Sequence, residues 1–364
     1  KGGYKDPRLF GSRWQLGASY ADLSDGRRRS FSLRRPFFAV ETEWAALASV
    51  FAEESSVPLY HLGEEFARIP SDFDEARLGL WKAFPSRSRS VLRVGIEYRV
   101  DEAFYGEVMT ATGESAPYAA DSSDRDLRGF FLAGQYFEDR HIVLGNMAFI
   151  GKTEDVNPGG DIRGAAGFFS EAFGGGEEAF AAELDVSRNW KPGPDTMIGA
   201  VGEVAGRFDG ARWEDTLASL KIVAYDPRFA RQTLAARASF VGGNRLAPEN
   251  VLYIGADDGL RGYVNEFLAG DRRWVVGLED RVITDHVFWG LAQLGFIAFA
   301  DAGAIRRFDS GEWSRVYADV GGGFRIGNLK SAFGRVVLAT AAFPLVKGEG
   351  VNDYEIFLGS EIPF

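Results

Sequence analysis

The sequence predicts an all-β chain, a 16-stranded antiparallel transmembrane β-barrel, on three observations. Apolar residues alternate at period two with polar residues and glycines in segment after segment. No apolar run approaches the roughly 20 residues of a spanning helix; the most apolar stretch, Phe288 to Ala300, is interrupted by Gln293 and glycines. A hydrophobic content of 46% yields a mean hydropathy of only -0.14. Barrel strands produce this dilution because lipid-facing and lumen-facing side chains alternate.

The alternation begins with Trp14, Leu16, Ala18 and Tyr20 against Gln15, Gly17 and Ser19. It is clearest at Leu92, Val94, Ile96, Tyr98 and Val100, whose other parity is Arg93, Gly95, Glu97, Arg99 and Asp101. A soluble all-β protein rarely places four charges on one strand face, whereas a watered lumen accommodates them. The pattern returns in Phe180, Ala182, Leu184 and Val186, in Trp274, Val276 and Leu278, and in Val316, Ala318, Val320 and Phe324. The last segment places Tyr354, Ile356, Leu358, Ile362 and Phe364 on one parity. Strand starts are expected near residues 13, 28, 43, 75, 90, 125, 160, 178, 196, 216, 230, 272, 288, 314, 333 and 353. Hairpin chemistry separates them at Ser24-Asp25-Gly26, Asp209-Gly210, Asp309-Ser310-Gly311 and Gly348-Glu349-Gly350. An even count lets the first strand, entered at Gly11-Ser12-Arg13-Trp14, pair with the last and leave no edge in lipid. Residues 1–364 read as one transmembrane barrel domain.

A net charge of -11 argues against nucleic acid, whose phosphates demand clustered Lys and Arg; Arg27, Arg28 and Arg29 form the one tight basic run. Absence of cysteine removes disulfides, thiolate metal sites and a thiol nucleophile. His61, His141 and His286 are scattered, without metal-ligand spacing, and no Gly-x-Ser-x-Gly elbow or Ser/His/Asp grouping is present. Glu53-Glu54 and Glu177-Glu178 read as loop charges rather than an acid and its base. No catalytic residue, metal or cofactor is expected, and the chain is read as not an enzyme. Lys1-Gly2-Gly3-Tyr4 lacks the apolar core of a signal peptide, so the sequence reads as a mature or truncated form.

One interval breaks the rhythm. Between a strand ending near Gly242 and one starting near Arg272 lies a loop of about residues 243–271, and long ordered loops are usually functional. It contains Asp257-Asp258-Gly259-Leu260-Arg261-Gly262-Tyr263, and Leu278-Glu279-Asp280-Arg281 and Phe299-Ala300-Asp301-Ala302-Gly303 follow. These three motifs in this order resemble the BamA, TamA and FhaC superfamily, also called the bacterial surface antigen family. The resemblance is strongest over residues 245–364 and consistent upstream. In that family an inward-folded sixth extracellular loop carries Arg-Gly-Tyr at its tip, and the thirteenth strand carries Phe-x-Asp-x-Gly, matched by Phe299, Asp301 and Gly303. The resemblance implies a bacterial outer-membrane barrel that inserts outer-membrane proteins or translocates polypeptides. Its implied partners are outer-membrane lipid and lipopolysaccharide, unfolded or secreted polypeptide clients, and periplasmic or partner subunits.

It also implies that Arg261 reaches Glu279 and Asp301 with the bidentate bonds that only a guanidinium can make, pinning the loop. Gly262 is expected to let the tip turn and pack close to the wall. At the C-terminus, Gly359-Ser360-Glu361-Ile362-Pro363-Phe364 resembles an outer-membrane insertion signal, and Gly359 is expected to weaken a seam between first and last strands. The sequence departs from the family in carrying no POTRA modules ahead of the first strand. The alternative reading is a barrel anchor or complex subunit without insertase activity, as in barrels fused to a patatin-like domain.

Overall fold

The computed structural model describes residues 1–86, 89–110, 123–147, 149–229, 231–308, 310–330 and 336–361. Sixteen strands make its wall, here β1 to β16. They are Gln15–Asp22, Arg27–Arg35, Trp44–His61, Glu64–Pro85, Ser90–Tyr105, Arg125–Glu138, Gly160–Phe169 and Ala179–Trp190, then Met197–Phe208, Trp213–Phe229, Gln232–Asn244, Leu268–Phe288, Ala292–Arg307, Tyr317–Asn328, Val336–Pro344 and Glu355–Glu361. Each pairs antiparallel with its sequence neighbour in one continuous ladder from β1 to β16. Consecutive antiparallel pairing follows from the short connections, since a hairpin is the cheapest way to satisfy backbone groups that lipid cannot.

Alternation sorts the side chains as the sequence predicts. Leu132, Leu278, Ile356 and Leu358 stand outward with relative exposures of 70%, 64%, 71% and 76%, which in water would be an aggregation surface and in a bilayer is a lipid contact. The opposite parity holds the charges, and many of these are paired. Glu97, 2% exposed, accepts bonds from Arg77 (2.6 and 2.9 Å), Arg99 (2.8 and 3.0 Å) and the Trp81 indole (3.1 Å). A carboxylate so deeply placed stays charged only with such donors around it.

Fifteen of the expected starts lie within four residues of the observed ones; the fourth strand begins at Glu64 rather than near 75. Its true turn is Leu62-Gly63, both in the left-handed region (φ 53° and 80°). Such a turn favours Asn or Gly at its first central position, so a leucine there hides it from a turn search. Leu62 is held by packing against the long loop's core.

Among the further elements outside the expected set, two bear on the ends of the barrel. Gly2–Asp6 is a strand paired antiparallel with β1 over Leu16–Tyr20, on the edge opposite β2. The expectation that β1's free edge receives the last strand is therefore corrected: along those residues that edge is already occupied. Ile142–Gly145 and Thr153–Val156 form a separate two-stranded hairpin between β6 and β7. In this alternating topology, odd-to-even connections lie at the long-loop end and even-to-odd connections at the other, so this hairpin belongs to the opposite end.

Candidate functional site: the inward loop and its seat

The long loop spans residues 245–267, between β11 and β12. It folds into the barrel rather than away, because it carries its own apolar core. Ile254, Leu260, Tyr263 and Phe267 are at most 1% exposed and pack on Val275, Ile305 and Tyr317 of the wall. Burying a handful of such side chains at about 1.5–3 kcal/mol each is ample reason for the loop to stay inside. The Tyr263 hydroxyl donates to the carbonyls of Ala318 (3.0 Å) and Val346 (3.2 Å), and its ring stacks against Phe267 and Tyr317. The loop is also stitched to the β3–β4 turn: the Leu62 and Gly63 amides donate to the Phe267 and Glu266 carbonyls.

Its tip presents Arg261 to two successive inward positions of β13 and one of β12. The guanidinium donates through Nε and Nη2 to the two oxygens of Asp301 (2.7 and 3.0 Å) and through Nη1 to Glu279 (2.7 Å). Its carbon lies 3.6 Å from the centroid of the Phe299 ring, so one face of the cation rests on a π surface. A flat, forked cation is required for this combination. Two positions along β13, Gly303 leaves room for the loop: a Cβ there would lie 3.1 Å from Ile254. Phe299, Asp301 and Gly303 thus supply a ring, a charge and an empty place on one face of one strand.

Further up the loop, Asp258 pairs with Arg273; burial pushes its carboxyl up, and the Arg273 guanidinium opposes that. The loop also reaches across the lumen: Glu249 accepts bonds from Arg125 of β6 (2.8 Å) and the Tyr105 hydroxyl of β5 (2.6 Å). A polar cavity of about 680 Å³ remains beside it, lined by Glu75, Arg77, Asp101, Arg125 and Asp215 of the wall together with Glu249 of the loop.

No protein-family model matches the chain, and no curated protein matches its sequence. Among solved structures it is similar to BamA from Haemophilus ducreyi lacking POTRA domains 1–3, with a TM-score of 0.55 over 98% of this chain and 65% of that one, at 13% identity. The fold is that of the BamA barrel. CdiB from Escherichia coli is also similar, at 13% identity over 95% of this chain and 55% of that one, with a TM-score of 0.46.

Within this BamA-type barrel, Arg261, Tyr263, Glu279, Phe299, Asp301 and Gly303 converge on the loop seat. Gly262 lies where the tip comes close to the wall. It has no positive φ; a Cβ at this position would sit 2.6 Å from the Asp319 Cβ and 3.1 Å from the Pro344 nitrogen, so the glycine is needed for close approach. Gly359 lies away from the seat on β16, opposite Leu338, and a Cβ there would meet the Phe357 ring at 2.5 Å. That ring lies over the bare backbone. Ile362 and Phe364 lie outside the described residues.

Arg281 closes the Leu278-Glu279-Asp280-Arg281 motif, and three further seat residues, Arg237, Gly277 and Asp319, carry none. Arg237 donates from Nη2 to both the Gly259 carbonyl and Asp301, each at 2.9 Å. Arg281 donates to the remaining oxygen of Glu279 (2.8 Å). Gly277 stands directly across from Arg237, and a Cβ there would lie 2.4 Å from Asp301. Asp319, fully buried, faces Asp301 across β13 and β14. Hairpin register would have pointed to Arg237, because a glycine opposite an inward arginine is what lets the guanidinium cross to the next strand.

Proposed function

We propose that this barrel resides in the bacterial outer membrane and inserts or translocates polypeptides, with the inward loop as the element that keeps its working shape. The observation that carries the reading is the three-way seat of Arg261 on Glu279, Asp301 and Phe299. A diffusion pore has no use for a loop held by a buried cation spanning two strands. A barrel that must yield to a client strand without collapsing does, because the seat ties β12 and β13 to the loop. The outward apolar band supports the membrane assignment, and the continuous hairpin ladder supports delivery by an outer-membrane assembly route. Lipid and lipopolysaccharide contact the outer band on this reading, and unfolded or secreted polypeptides are the clients.

The test is reconstitution in liposomes with an unfolded outer-membrane client, whose folding is scored by heat-resistant gel migration. Faster client folding than in empty liposomes, reduced by Arg261→Ala in a barrel that is itself folded, is the expected result. No acceleration by the folded wild-type barrel would turn the reading to an anchor or complex subunit.

A further inference from the structure

Residues 139–159, which join β6 to β7, do not form a simple turn. They build the hairpin Ile142–Gly145 and Thr153–Val156, whose tip enters the barrel from the end opposite the long loop. The tip is shaped by its own bonds. The Glu154 carboxylate accepts the amides of Met147 (2.8 Å) and Phe149 (3.1 Å), and Asn146 and Gly151 both take positive φ, with the Gly151 amide donating to the Asn146 side chain at 2.9 Å.

The tip is seated, not loose. Leu144 and Met147 are 7% and 4% exposed and pack on Met197, Tyr225 and Ala235 of β9, β10 and β11. Ile150, 1% exposed, packs on Ile283 and Val336 of β12 and β15. The wall between those two strands is hollowed for it. A Cβ at Gly327 would lie 2.6 Å from the Ile150 Cβ, and one at Gly295 would lie 3.3 Å from its Cδ1. Two backbone bonds complete the seat, Thr233 Oγ1 to the Asn146 carbonyl (2.9 Å) and Arg281 Nη1 to the Met147 carbonyl (3.1 Å). The hairpin therefore starts at β6 and β7 and is anchored on β9 to β15, across the mouth from its own strands.

We propose that Ile142–Val156 is a plug that closes the lumen at the end opposite the long loop, and that Arg281 and Glu279 couple its seating to that of the loop. Glu279 takes Arg261 of the loop on one oxygen and Arg281 on the other, and Arg281 holds the plug's backbone. One wall carboxylate is thus shared by elements entering from opposite ends. Release of Arg261 leaves Glu279 half-satisfied and frees Arg281 to follow it, which loosens the Met147 carbonyl. The plug keeps water-borne solutes and unfolded chain out of the lumen until the loop shifts.

The chain has no cysteine, so a single probe is clean. Ala235→Cys sits under the tip and faces the lumen. In oriented proteoliposomes, a bulky membrane-impermeant maleimide added from the plug side is expected to label it slowly in the intact barrel. Labelling should be several-fold faster when 142–156 is replaced by a short Gly-Ser turn. Gly327→Leu, which fills the Ile150 socket while keeping the chain length, should do the same if the deletion fails to fold. Arg261→Ala should also raise the rate. Equal labelling of the intact barrel and the folded plug variants would overturn the plug, and an unchanged rate in Arg261→Ala would overturn the coupling; neither readout depends on client insertion.

Discussion

Arg261 is the residue whose loss should be felt most. Truncating one partner of a buried ion pair costs about 3–5 kcal/mol when the other charge is stranded. Here Glu279 keeps Arg281 and Asp301 keeps Arg237, so Arg261→Ala is expected at the lower end of that range. Its measure is the urea midpoint of the refolded barrel together with protease cleavage of the 245–267 loop. Arg261→Lys should recover little, because an ammonium cannot serve Asp301 and Glu279 while lying flat on Phe299. Gly262→Ala should unseat the loop almost as well as Arg261→Ala, since the added methyl meets Asp319 and backbone at Pro344; wild-type protease resistance in that variant would contradict the close-approach account. At this scale the sequence was readable where a motif named the residue, as for Arg261, Asp301 and Phe299. It was opaque where proximity arises across strands. Arg237 sits among Leu234, Ala235 and Ala236, with nothing local to mark it, and only its register against Gly277 shows where it goes.

The loop, its seat and the β3–β4 turn behave as one element. Tyr263→Phe keeps the stacked rings and removes only the hydroxyl, leaving the Ala318 and Val346 carbonyls without that donor; a cost of about 1–2 kcal/mol in the unfolding free energy is expected. Gly63→Val should be worse than a surface turn substitution normally is. It forces a β-branched residue to a φ of 80° and drives it into Val264, so the loop should become protease-sensitive without any change at Arg261. Strand existence was legible because alternation is a local signal, repeated in most wall segments and weak only in the third, fourth and sixth. The start of β4 was missed because Leu62 occupies a turn position for long-range reasons, its packing on the loop core. The hairpin at Ile142–Val156 was missed for the same kind of reason. Its strands are only four residues each, and what seats it are glycines far away in sequence, Gly295 and Gly327.

Across the whole molecule, the two faces of the wall answer to different solvents. Leu132→Arg puts a charge among side chains that stand outward, and a lipid-facing cation near mid-bilayer costs about 2–4 kcal/mol, so this variant should refold poorly into liposomes. A charge placed instead at Ser49, which lines the polar cavity, should change stability little and refold normally. Similar refolding of the two variants would mean that the outward parity does not face lipid.

The strand Gly2–Asp6 has a consequence that comes from counting directions. Sixteen strands in antiparallel series leave β1 and β16 running opposite ways, so they can join by the same ladder used everywhere else. Adding Gly2–Asp6 before β1 makes seventeen in series, and seventeen is odd: this strand and β16 run the same way. A circle closed by β16 would therefore be antiparallel if β16 took the place of Gly2–Asp6 on β1, and parallel if it paired with Gly2–Asp6 itself. The parallel ladder is slightly weaker per residue, so the N-terminal strand would compete with β16 for one edge. Removing residues 2–6 should raise the yield of disulfides between a cysteine at Ala18 and cysteines scanned along 355–361, and the ring should then be harder, not easier, to open.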